Sequence, residues 1–127
     1  MPYIFIIMTV YFAFLLHIYQ PPVQIAPVIK QIVRESYRPL LNALRENPNA
    51  RITLNINATL TEQLYDYGYT DLIEGMATLA SRGQIEFTSS AKFHPLLPLI
   101  PKPEIIRQIK LNNKTNKKFF GKVYQPR

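Results

Sequence analysis

An almost unbroken apolar run, TVYFAFLLHIYQPP, extends from Thr9 and stops at His17, Tyr19, Gln20 and two prolines. Its β-branched and aromatic content predicts a strand buried on both faces, as in a parallel sheet covered by helices. Pro21 and Pro22 cannot donate to a ladder, so the strand ends there. Alternation sets His17 and Tyr19 on one face and Ile18 and Gln20 on the other. Downstream the period changes. Ile25, Val28, Ile29, Ile32 and Val33, then Leu40, Leu41 and Leu44, recur at three and four, which predicts a helix from Val23 to Asn47 broken or kinked at Pro39. Arg51–Ile56 alternates and reads as a second strand. A short helix follows, capped by Thr59 with Glu62 answering from the third position, and it ends near Gly68.

Thr70 to Arg82 predicts another helix, with Leu72, Ile73, Met76, Leu79 and Ala80 inward and Gly83 closing it. Gln84–Thr88 is a third strand and Ser89–Pro101 is irregular. Pro103 to about Asn113 is helical, and the polar stretch from Asn112 to Lys118 is expected at the surface. Strands alternating with helices make an α/β fold with a parallel sheet. Barrels of this kind run to roughly 200 residues or more, so three strands are expected to be part of one. Residues 1–8 read as an extension and 9–127 as a single unit.

The segment from Pro2 to Tyr19 is also long enough for a membrane helix. No Lys or Arg precedes Lys30 and no small-residue cleavage site is present, so a strand is favoured over a span or a signal peptide. With no cysteine, thiolate metal sites and disulfides are excluded, in keeping with a cytoplasmic protein. The net charge of +7 looks like a signal for a polyanion until it is mapped. Seven basic residues balance seven acidic ones up to Pro101, and the excess lies in Lys102–Arg127, where eight cations face Glu104 alone. Few aromatic residues interleave with those lysines, so neither nucleic acid nor membrane is the expected partner. A small basic nucleic-acid-binding protein stays as an alternative.

His17, at the carboxyl end of its strand, reads either as a satisfied structural residue or as part of a site, because ligands bind at that end of parallel α/β sheets. Two longer segments bear on the choice. LHIYQPP (Leu16–Pro22) resembles the first motif of glycoside hydrolase family 57, a strand ending in His-x-His-Gln-Pro. His17, Gln20 and Pro21 match, and Tyr19 replaces the second histidine. RGQIEFTSSAKFHPLLPLIP (Arg82–Pro101) is similar to the family's second region, with Gly83, Glu86, His94, Pro95 and Pro98 matching. TLTEQL and FFGKVYQPR agree with connecting segments.

This resemblance implies the first part of an incomplete barrel of seven strands and helices, acting on α-glucan poly- or oligosaccharides. It places His17, Tyr19, Gln20, Glu86 and His94 as substrate-binding residues converging at one rim of a cleft, with His94 also bracing its loop. Retaining glycosidases need two carboxyl groups about 5 to 5.5 Å apart. The resemblance implies that the catalytic Glu and Asp occupy family positions beyond Arg127, so no residue here is expected to be nucleophile or acid. A complementary carboxyl-terminal polypeptide is one possible partner, and a non-catalytic sugar- or partner-binding fragment is the second alternative. No cofactor and no metal are expected, since two histidines on distant loops are too few for a metal centre.

Overall fold

The computed structural model describes residues 9–127. The expected extension at residues 1–8, and with it the first part of the membrane-helix alternative, lies outside the described residues. Among the described residues no helix is long and apolar enough to cross a membrane.

Three parallel strands form one sheet in the order β1 (Leu15–Ile18), β2 (Ile52–Ile56), β3 (Ile85–Phe87). His17 lies opposite Asn55, and Thr53 lies between Leu15 and Glu86. The residues at even steps, Leu54, Ile56, Ile85, Phe87 and Ile18, point into the core with the helices. Each such side chain contributes roughly 1.5 to 3 kcal/mol when fully buried. The opposite face carries Leu15, His17, Thr53, Asn55, Glu86 and Thr88, all exposed or half-buried. The first strand is thus shorter than its apolar run, and helices cover one face of it. Val10, Tyr11, Phe12 and Phe14 precede it as exposed chain, so apolar character there does not mark burial.

The helices are α1 (Ala26–Ile32), α2 (Arg38–Glu46), α3 (Ala58–Asp66), α4 (Thr70–Ser81) and α5 (Lys102–Phe120). Pro39 does not break its helix. A π-helical stretch, Val33–Tyr37, joins α1 to α2, and the Arg38 N–H bonds the Val33 carbonyl five residues back. Such a wide turn absorbs the clash that proline makes with the preceding turn. Gly75 lets α4 approach α2: a Cβ there would fall 2.6 Å from the Arg45 guanidinium and 3.1 Å from Leu41. Gly83, at φ +73°, closes α4 as expected.

The capping box expected at Thr59 does not form. The helix begins at Ala58, and neither Thr59 nor Glu62 bonds its own amino end. The stretch Asn112–Lys118 also departs from expectation, because α5 continues through it to Phe120 with Asn112 and Asn116 fully buried.

Candidate functional site

At the carboxyl ends of the strands the open face carries a hydrogen-bonded polar row. His17 Nδ1 lies 2.7 Å from Asn55 Oδ1, and Asn55 Nδ2 donates to Thr88 Oγ1 at 2.7 Å. β1 and β2 contribute one residue each, and the third is Thr88, which directly follows β3. Three rings gather above this row. His94 stands 4.8 Å from both His17 and Tyr19, nearly parallel to the phenol ring, and His17 and Tyr19 are 6.3 Å apart. The two motifs therefore meet: Leu16–Pro22 supplies two rings and the loop after β3 supplies the third.

The two segments that carry the rings are held from behind. Gln20 turns to the helical side, as alternation requires. It accepts a hydrogen bond from Gln24 at 2.9 Å and bonds the buried Tyr37 phenol. Burial pushes that phenol above its ordinary pKa, with the Gln20 bond opposing. Gln63 Nε2 donates to the Pro21 carbonyl at 2.6 Å and fixes the proline turn. On the other side, buried Asn57 donates to the carbonyl of Ala91 at 2.5 Å and to Ser90 Oγ at 3.2 Å. Thr59 donates to the Lys92 carbonyl, and Lys92 Nζ pairs with Glu62 at 2.7 Å. The two residues expected to cap α3 grip this loop instead. Gln108 of α5 accepts the Phe93 N–H at 3.1 Å. His94 then takes φ +51°, a left-handed conformation that a non-glycine residue holds only where its surroundings impose it.

Glu86 stands apart. β3 is an edge of the three-stranded sheet, and Glu86 is exposed, 3.1 Å from Arg127. It shares the open face with His17, one pleat row nearer the amino end and two strands across, roughly 12 Å away by strand spacing. There it lines a groove of about 520 Å³ with Phe12, Phe14, Thr53 and Arg127. The other seven carboxylates are all on helices: Glu35, Glu46, Glu62, Asp66, Asp71, Glu74 and Glu104. The cluster at His17 thus offers aromatic faces beside imidazole, amide and hydroxyl donors and acceptors. That chemistry suits a polyhydroxylated ligand better than an ion.

Sequence reasoning missed the amides of α5. Asn112 Oδ1 accepts the Ala58 N–H at 2.8 Å and so caps α3 from another helix. Asn116 accepts from Thr61 Oγ1 at 2.7 Å and donates to the Ile56 carbonyl at 3.0 Å. Both amides also donate to Tyr124 Oη, whose pKa burial raises while these bonds oppose it. The available signal was spacing: Gln108, Asn112, Asn116 and Phe120 recur every four residues and extend the apolar face of Ile105. Asn57 also begins an Asn-x-Thr sequon, and its complete burial bars it as a glycan acceptor.

Comparison with known proteins agrees with this fold. The family model for glycosyl hydrolase family 57 matches residues 9–127. The chain is similar to alpha-amylase 1 of Dictyoglomus thermophilum, 32% identical over 115 residues, which are 91% of this chain and 17% of that protein. An alpha-amylase of Pyrococcus horikoshii is 32% identical over 101 residues, 80% of this chain and 16% of that one. The crystal structure of a 4-alpha-glucanotransferase from Thermococcus litoralis superposes with a TM-score of 0.79 at 27% identity, over 86% of this chain and 17% of that chain. The chain therefore spans about one sixth of the length of these relatives. Its parallel α/β architecture is that of the solved relative over the matched part, and the chain belongs to glycosyl hydrolase family 57.

Proposed function

We propose that residues 9–127 form one wall of the substrate cleft of an α-glucan-acting, retaining glycoside hydrolase, as the amino-terminal portion of its barrel. The single observation that carries this reading is the meeting of His17, Tyr19 and His94 above the His17–Asn55–Thr88 row. Aromatic faces stack on the apolar side of a pyranose ring, and the polar row bonds its hydroxyls and orients it. Gln20 acts through the turn it holds, and Glu86 serves a position deeper in the cleft. On this reading the catalytic carboxylates come from outside the described residues, as the resemblance to the family implies. Malto-oligosaccharide added to the purified chain is expected to perturb the resonances of His17, Tyr19 and His94, and His17→Ala is expected to weaken binding about tenfold. Absence of any perturbation overturns the cleft reading. Robust hydrolysis of amylose by the chain alone overturns the assignment of the catalytic pair.

A partner reading is favoured by a separate observation. Val10, Tyr11, Phe12, Phe14 and Leu15 are between 52% and 90% exposed beside an edge strand. A complementary carboxyl-terminal polypeptide would cover this face and extend the sheet. Co-expression with such a polypeptide is expected to restore turnover. Failure to co-purify would remove the partner.

A further inference from the structure

The imidazole of His17 has two chemically different nitrogens, and the open face treats them differently. Nδ1 lies 2.7 Å from Asn55 Oδ1. An amide oxygen accepts and cannot donate, so a neutral His17 bonded this way carries its proton on Nδ1. The Asn55 amide is anchored at its other end as well, where Nδ2 donates to Thr88 Oγ1 at 2.7 Å. Register supports the arrangement: His17 and Asn55 are direct partners on adjacent strands, and Thr88 follows the last residue of β3 on the same face. Tyr19 and His94 pack around the imidazole and limit its rotation. In water a free imidazole side chain favours the other tautomer, with the proton on Nε2.

We infer that Asn55 is a positioning residue that holds His17 as the Nδ1–H tautomer, leaving the Nε2 lone pair free toward the open side of the face. The consequence for binding rests on the cleft reading above: Nε2 accepts a hydrogen bond from a sugar hydroxyl, and His17 is an acceptor there rather than a donor. Which nitrogen is protonated is set by the partner of the other nitrogen, so the assignment is local and testable without any ligand.

Proton–nitrogen correlation spectra of the isotope-labelled chain, at a pH where His17 is neutral, are expected to show a pyrrole-like Nδ1 and a pyridine-like Nε2. Asn55→Leu removes the acceptor and is expected to convert His17 to the Nε2–H form. Asn55→Asp keeps an acceptor oxygen and is expected to keep the Nδ1–H form. A pyrrole-like Nε2 in the unsubstituted chain overturns the inference, as does an unchanged tautomer in a folded Asn55→Leu variant. Where Asn55→Leu does not fold, loss of the Nδ1–H form in Asn55→Asp overturns it instead. Malto-oligosaccharide affinity is expected to fall about tenfold in Asn55→Leu. An Nδ1–H tautomer in a chain that binds no sugar at all would sink the cleft reading while leaving the role of Asn55 standing.

Discussion

Two polar arrays hold this protein together in opposite ways. Along α5, Gln108, Asn112 and Asn116 lie almost wholly buried, each bonded to backbone or to another side chain. On the open face, His17, Asn55 and Thr88 form an equally continuous chain of bonds, but in reach of solvent. The buried array has no water to fall back on, so deleting any member strands its partners. The open array can exchange its bonds with water or with a ligand at little cost. The buried array is built for stability, and under the proposed cleft reading the open array is the one left to recognise a ligand.

Neighbouring residues on β3 give the sharpest way to break that division. Phe87 is buried with its ring 4.8 Å from Phe120 and 5.2 Å from Tyr124, so Phe87→Ala is expected to cost about 4 kcal/mol in urea unfolding. Glu86, one position earlier and on the open face, pairs with Arg127 in solvent. Glu86→Ala is expected to change stability by less than about 0.5 kcal/mol in the same assay. A comparable loss in both would mean the open face is structurally essential too.

Within the buried array, Asn116→Leu keeps the branching of the side chain but leaves the Ile56 carbonyl and the Thr61 hydroxyl without their partner, for an expected loss of about 3 kcal/mol. On the open array, His17→Ala should leave the urea midpoint within about 1 kcal/mol of the unsubstituted chain while weakening sugar binding. Equal destabilisation by the two substitutions would erase the distinction between the arrays.

The smallest effect concerns pH. Hydrogen bonds from Arg107 first, then from Gln108, hold the Glu104 carboxyl at about 2, below its usual range. A depressed folded-state value means the contribution is present above the ordinary glutamate range and is lost as pH falls toward about 2. Carbon-detected titration of Glu104 checks this, and Arg107→Ala should return its midpoint toward the ordinary value.

Much of the fold was legible because its signals are local. The period-two pattern of Ile52, Leu54 and Ile56 placed β2, and Gly83 marked the end of α4. The two motifs were legible as short strings, and with them His17, Tyr19 and His94. Burial was not legible in the same way. Thr9–Leu16 reads as the most apolar stretch and is largely exposed, whereas Asn112 and Asn116 read as surface and are fully buried. Composition reports what a side chain prefers, and only the neighbours decide whether that preference is met.

By itself the sequence determined the order and type of the elements, the prolines that end β1, and the residue types available to the site, since these follow from backbone propensity and periodicity along one chain. Tertiary structure alone decided that Asn55 would stand between His17 and Thr88, that Thr59 and Glu62 would grip a distant loop, and that α5 would cap α3. Those contacts join residues 30 or more positions apart, and they exist because parallel register and helix packing bring separate segments to one place.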